Sequence, residues 1–230
     1  FRSDPQSLFT GQGHAPAALS AEELTPPDTA ATPDLPAWIM PAWNAALGDM
    51  AAPVAMAMRE RAPVWLRVNT LRTSPAKAAI ALAAEQIETT PHPQLPTALC
   101  VQSGARRLAA SAAYRDGLIE LQDLSPQLAC SLLPAHGSLL DYCAGGGGKA
   151  LALAARGLAP VTAHDVDAGR MADLPARAAR AGASIAIAAP GQVSGQFDLV
   201  VADVPCSGSG TWRRTPDAKW RLTEADLARL

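Results

Sequence analysis

The chain has 230 residues, 49% of them apolar, with 19 Lys and Arg against 21 Asp and Glu and a net charge of −2. That is enough apolar material for one large domain or a domain with a smaller companion, and it excludes a global basic field for nucleic acid, so any RNA contact must come from local clusters. Cys100, Cys130, Cys143 and Cys206 show neither zinc-site spacing nor a disulfide framework, and no apolar run approaches the roughly 20 residues of a membrane span. The expectation is a cytoplasmic monomer with reduced thiols and no metal.

The start, from Phe1, has no signal-peptide pattern and no initiator Met, so a fragment or a processed chain is expected. Residues 1–37, with Pro26, Pro27, Pro33 and Pro36, predict an irregular arm. Residues 38–62 predict short helices separated by Pro41 and Pro53. Val64–Asn69 reads as a strand. Ser74 and Pro75 are an N-cap and a first helical residue, opening an Ala-rich helix to about Ala84. Ala98–Val101 and Leu118–Gln122 are two more strands, with a helix or turn over Arg106–Tyr114. Residues 63–122 are thus read as a small α+β domain.

From residue 123 the rhythm changes. A helix over about 125–133 leads to a buried strand at Ser138–Tyr142, a glycine cluster, and a helix through Ala155. A strand follows at Val161–Asp165, then a helix over about Ala168–Ala181 that Pro175 should kink or split and Gly182 should end. Ile185–Ala188 and Phe197–Asp203 are the next strands, and a last helix starts near Thr223. Strands alternating with helices predict an α/β domain, a Rossmann-like parallel sheet covered on both faces, over 123–230.

Cys143-Ala144-Gly145-Gly146-Gly147-Gly148-Lys149 sits between strand and helix, where glycines let the backbone approach a ligand closely. A P-loop fails twice: Cys143 stands where its first glycine belongs, and Ala150 offers no hydroxyl after Lys149. A dinucleotide fingerprint fits Gly145, Gly147 and Ala150, with Asp165 about 20 residues on as the ribose acid. An S-adenosylmethionine site fits equally well, with Asp165 accepting from both ribose hydroxyls. Spacing does not separate these two.

The stretch Asp203-Val204-Pro205-Cys206-Ser207-Gly208-Ser209-Gly210-Thr211 follows the fourth strand of the α/β part, at the carboxyl edge where ligands bind in such sheets. An acid and a cysteine on a glycine-rich turn suit cytosine-C5 chemistry. A thiolate adds to C6 so that C5 can attack a methyl sulfonium, and a carboxyl group near N3 assists. A dehydrogenase has no use for them.

Asp203–Thr211, followed by Arg213-Arg214-Thr215-Pro216-Asp217-Ala218-Lys219-Trp220, resembles the D-A-P-C-S-G-x-G-T-x-R-R-x-P-D-x-K-W block of the Nol/Nop/Sun RNA 5-methylcytosine methyltransferases. Asp141–Lys149 resembles their cofactor loop, Leu66–Thr70 their R-V-N-T segment and Gln122–Ser125 their Q-D-x-x-S segment. The resemblance spans about residues 60–225 and lies nearest to bacterial small-subunit ribosomal RNA methyltransferases. It implies an S-adenosylmethionine site at Cys143–Lys149, Asp165, Arg170 and Asp203, with Asp203 and Cys206 as catalytic groups. Gly145 and Gly146 replace the family's Ala-Pro, which should loosen the loop. Ala188-Ala189-Pro190 lacks the acid that members often place near the adenine. The family's attacking thiolate usually comes from a Thr-Cys pair, and none occurs in these 230 residues. Cys206 therefore matches the product-release cysteine; Cys206 as nucleophile is the less favoured assignment.

Arg213, Arg214, Lys219 and Arg221, beside Trp212 and Trp220, are the candidate RNA contacts, combining phosphate partners with stacking surfaces. Arg106, Arg107, Arg67 and Arg72 are weaker candidates. His14, His92, His136 and His164 show no metal spacing and are read as surface residues. The alternatives are a tRNA cytosine-C5 methyltransferase, a nicotinamide-dependent oxidoreductase, and a non-catalytic RNA-binding assembly factor.

Overall fold

A computed structural model describes residues 5–25 and 34–230; Pro26, Pro27 and Pro33, which predicted an irregular arm, lie outside them. The described residues form two compact units. One comprises residues up to 60 together with 216–221, the other residues 61–215 together with 222–230. The first is a run of short helices, with Met40–Leu47 and Ala51–Ala57 the longest. Pro41 and Pro53 lie within the first turns of these helices rather than between them, where a missing N–H breaks no helical bond.

The second unit holds two sheets. Strands β1 (Val64–Val68), β2 (Glu88–His92), β3 (Leu95–Ser103) and β4 (Ile119–Leu121) form an antiparallel sheet in the order β2-β3-β1-β4. Helix α1 (Pro75–Ala84) starts as its sequence dictates, Ser74 Oγ accepting from the Lys77 N–H with Pro75 at the first position. Alternation along β1 sends Leu66 and Val68 into a core with Leu82, Ile87, Leu99 and Ile119. Strand β2 was not expected, because Pro91 lies within it. It is an edge strand, where a proline's missing donor interrupts no ladder.

Strands β5 (Leu139–Asp141), β6 (Val161–His164), β7 (Ile185–Ala188) and β8 (Leu199–Val201) form a parallel sheet in the order β7-β6-β5-β8. Helix α2 (Leu124–Leu132) precedes it, α3 (Gly148–Ala154) follows β5 and α4 (Leu174–Ala181) follows β6. Pro175 splits the predicted 168–181 helix into a 3₁₀ turn, Ala168–Met171, and α4, whose end is Gly182 at φ 70°. The architecture is α/β, a Rossmann-like parallel sheet preceded by a small α+β sheet. Cover on both faces does not extend to the outer strands: Val200 and Ile187 are exposed. Glu224–Leu227, the helix of this unit after β8, has one turn, too short to cover a sheet face.

The motifs Arg67-Val68-Asn69-Thr70 and Gln122-Asp123 fasten the two sheets together. Asn69 Nδ2 donates to both Gly117 O and Ala181 O at 2.8 Å, and Thr70 Oγ1 donates to Ala155 O at 2.7 Å. Arg67 Nε donates to Gln122 Oε1 at 2.7 Å, while Gln122 Nε2 reaches Gly148 O at 3.2 Å. Arg67 is buried, which removes it from the candidate RNA contacts. Arg72 donates to Ala179 O. Buried Glu120 on β4 accepts from Arg177 at 2.9 Å and Arg180 at 2.5 Å, both on α4.

Candidate functional site

The chain order β5, β6, β7 runs outward and then returns, so β8 lies on the other side of β5. Such a reversal opens a crevice at the strands' carboxyl ends, where open α/β sheets bind ligands. The register pairs Asp141 with Val201. The glycine loop after β5 and the Asp203–Cys206 segment after β8 therefore leave adjacent strands at one level. Asp165 follows β6 on the other flank of the loop.

The glycine loop is shaped by its neighbours. Ala144 N–H donates to His164 O at 2.8 Å, Gly147 N–H to Ala144 O at 2.9 Å, and Gly145 N–H to Asp165 Oδ2 at 2.9 Å. Arg177 Nη1 donates to Gly146 O at 2.5 Å. Gly147 has φ +79°, and a Cβ there would lie 2.2 Å from Leu174 Cδ1, so only glycine lets α4 pack this closely. Cys143 is half-buried beside it.

Three acids surround the loop in different electrostatic states. Asp165 is buried at the end of β6 and accepts from Gly145 N–H, Asp167 N–H and the Arg170 guanidinium at 3.3 Å. Burial alone would raise its pKa; the two N–H groups and the Arg170 guanidinium outweigh that and hold it below the ordinary value. Arg170 itself is half exposed and pairs with Asp165. Asp203 is exposed and ion-paired with Lys149. Asp141 was not among the residues singled out from the sequence. It is buried, one oxygen accepts from Ala150 N–H at 3.0 Å, and Oδ1 has no partner among the described residues. Burial pushes its carboxyl up to about 6, against the pull of Lys149 and the Ala150 N–H. An acid closing an apolar strand just ahead of four glycines was the available signal.

A bare buried carboxylate oxygen, an acid beside the loop and closely packed glycines suit a ligand that carries both a cation and vicinal hydroxyls. S-Adenosylmethionine has both, and the residues fit it. Among the described residues no cluster of three or more His, Cys, Asp or Glu side chains is arranged for a metal ion.

Cys206 is exposed on its loop rather than packed in hydrocarbon. Arg213 Nη2 donates to Arg61 O at 3.1 Å, and Arg214 is ion-paired with Asp123. Both line an open cavity of about 550 Å³ that also includes Trp65 and Arg61. One member of the basic cluster and one of its flanking tryptophans stand corrected. Lys219 is buried and ion-paired with Asp34, so its charge is spent inside the fold, and Trp212 is buried, so it offers no stacking face. Arg221 is exposed, paired with Asp217 one turn earlier. His164 is also corrected: it is buried, stacked on Tyr142 with centroids 4.6 Å apart. Its Nδ1–H donates to Tyr142 O at 2.8 Å, leaving Nε2 to accept from Gly191 N–H at 3.4 Å. An isolated histidine ending a strand carried no signal of this.

Residues 35–106 match a family profile described as the ferredoxin-like domain of RsmF/B-like methyltransferases, and residues 130–230 match one described as 16S rRNA methyltransferase RsmB/F. Ribosomal RNA small subunit methyltransferase B of Citrobacter koseri is 32% identical over 205 residues, covering 85% of this chain and 48% of the relative. The chain thus spans about half the length of the curated relatives it matches. Among solved structures, PH0851 superposes with a TM-score of 0.75 at 26% identity over 85% of this chain and 47% of that one. NSun6 from Pyrococcus horikoshii, solved with SFG, has a TM-score of 0.67 at 14% identity over 76% and 72%, a likeness of fold alone.

Proposed function

The chain belongs to the 16S rRNA methyltransferase RsmB/F family, and from that premise we propose that it carries the cofactor site and part of the catalytic site of an S-adenosylmethionine-dependent RNA cytosine-C5 methyltransferase. On this reading, residues 63–122 serve RNA recognition and residues 123–230 hold the cofactor. The observation that carries the proposal is the β5–β8 register, from which the glycine loop and the Asp203–Cys206 segment open onto one crevice.

The bound cofactor supplies an electrophilic methyl group on a sulfonium. Asp141 would accept from its ammonium through the bare Oδ1, and Asp165 from its ribose hydroxyls. The backbone of Cys143–Lys149 lies against it without side-chain bulk at Gly145–Gly148. Arg170 orients Asp165, and Lys149 orients Asp203. Asp203 would hold a proton at the cytosine N3 edge while C5 becomes nucleophilic, and the exposed Cys206 thiol would act in product release. The thiolate that adds to C6 is assigned to none of these residues. Arg213, Arg214 and Arg221 would contact RNA phosphates.

Calorimetric titration with S-adenosylhomocysteine and, separately, with NAD tests the cofactor. The expected result is binding of the first alone, weakened at least tenfold, about 1.4 kcal/mol, by Asp165→Ala. Binding of NAD alone would overturn the reading. Bisulfite sequencing of ribosomal RNA from cells lacking the parent gene tests the substrate: a cytosine methylated in the parent strain should become unmethylated.

A further inference from the structure

Five of the chain's 19 Lys and Arg residues, Arg61, Arg106, Arg107, Arg213 and Arg214, line two neighbouring cavities of about 550 and 710 Å³. Segment 61–64 belongs to both linings, so the two hollows flank one short stretch of chain at the start of β1. The single acid lining either hollow is Asp123, and Arg214 already neutralises it. In a chain where acids outnumber bases, this is a local concentration of positive charge. Among the described residues, Arg61, Arg106 and Arg107 form no salt bridge, and all three are exposed. Salt bridges fix the arginines that hold the fold, Arg177 and Arg180; these three are left to the surface.

The larger hollow lies outside the cofactor crevice, at the end of β3. Pro63, Val64 and Val101 give it an apolar part to its lining, beside Arg61, Arg106 and Arg107. Gln86 also lines it and is the one non-glycine residue with positive φ among the described residues, at 59°. That conformation costs roughly 1–2 kcal/mol, and strained residues of this kind gather at binding sites. The Gln86 side chain accepts from Arg107, which sets that guanidinium in place.

We propose that this groove binds the single-stranded segment flanking the target nucleotide, with Arg61, Arg106 and Arg107 on successive phosphates and the apolar lining against an unstacked base. The proposal rests on the reading of RNA as substrate and extends it to a second, anchoring site. Apolar lining beside exposed cations suits a single strand, whose bases can leave the stack, and not an A-form duplex, which presents its phosphates on a convex surface.

The test is fluorescence anisotropy with a labelled 12-nucleotide single-stranded RNA, and a paired duplex of the same sequence, over a range of salt. Each phosphate contact on a single strand contributes about 0.7 to the slope of log affinity against log salt. Arg61→Gln/Arg106→Gln/Arg107→Gln should therefore make the slope shallower by about 2, with the melting temperature and S-adenosylhomocysteine affinity unchanged. The charge-matched variant Lys77→Gln/Arg115→Gln/Arg229→Gln should keep the original slope. An unchanged slope in the groove variant, or an equal loss in the charge-matched one, overturns the groove and leaves the RNA reading standing. An equal loss for the duplex overturns the single-strand assignment. Failure of the unsubstituted chain to bind either RNA would sink the substrate reading itself.

Discussion

Glu120 is where the small sheet and the glycine loop meet, and replacing it should disturb both. Its carboxylate is 2% exposed and bridges Arg177 and Arg180, while Arg177 also donates to Gly146 O. Glu120→Gln keeps the shape and removes the charge. Breaking a buried ion pair from one side costs about 3–5 kcal/mol. The two guanidiniums are 23% and 21% exposed and can rehydrate in part, which discounts that cost to about 2–3 kcal/mol, at or just below the bottom of the range. For a chain of this size that lowers the melting temperature by roughly 5–10 °C. Arg177 would also hold Gly146 less firmly. A hydrogen bond worth about 1 kcal/mol corresponds to about fivefold in S-adenosylhomocysteine affinity. Thermal unfolding and calorimetry read the two effects. A variant that melts within about 1 °C of the parent refutes the claim that this triad joins the sheets. A lower melting temperature with unaltered affinity refutes the link to the loop.

Further outcomes follow from single residues. Asp141 is raised in the folded chain from 3.8 to about 6, so the native state holds a proton that the unfolded chain has released. Its contribution to stability is full below pH 4 and falls as pH rises to about 6, by about 3 kcal/mol; in urea unfolding, Asp141→Asn should abolish that fall, and an identical pH profile would contradict the assignment. Asp165 shifts the other way: its contribution is present above its unfolded pKa and lost as pH falls below it, so Asp165→Asn should flatten the acid limb of the same curve. Gly147→Ala combines positive φ with a Cβ 2.2 Å from Leu174, and should destabilise by about 2 kcal/mol or more. Cys206, the exposed cysteine, should react with iodoacetamide well before buried Cys130, and S-adenosylhomocysteine should slow it; labelling indifferent to the ligand would separate the thiol from the crevice.

Much of the fold could be read because apolar runs in the second half end in acids. Leu139-Leu140-Asp141, Val161–His164 before Asp165 and Leu199–Val201 before Asp203 each mark a strand with a polar terminus, the first two of them buried. A parallel sheet turns such patterns into one ligand-facing edge. Strand β2 was hidden by Pro91, since no local pattern tells that a proline will fall on an edge. The R-V-N-T segment could be seen, but its task could not: Asn69 caps Gly117 and Ala181, 48 and 112 residues away. Contacts at such separations leave no trace in a window of neighbouring residues.

Charge was the least legible property, and the basic cluster after Cys206 shows why. Arg213, Arg214, Lys219 and Arg221 stand within nine residues, yet Lys219 turns inward to Asp34 while Arg221 lies exposed. Linear density of charge reports neither burial nor pairing, and both decide whether a cation can meet a phosphate. The same holds for acids. Asp141 and Asp165 are both buried beside one glycine loop, and their pKa values move apart. Asp165 has two N–H donors and an arginine; Asp141 has one N–H donor and a bare oxygen. A fold selected for stability alone would give Asp141 a second donor or an amide in its place. That it keeps a carboxylate at a cost in stability near neutral pH points to a ligand that completes its hydrogen bonds. Asp141→Asn should therefore gain stability at pH 8 and lose S-adenosylhomocysteine affinity together. A variant that gained the first without losing the second would leave the buried charge without a functional reason.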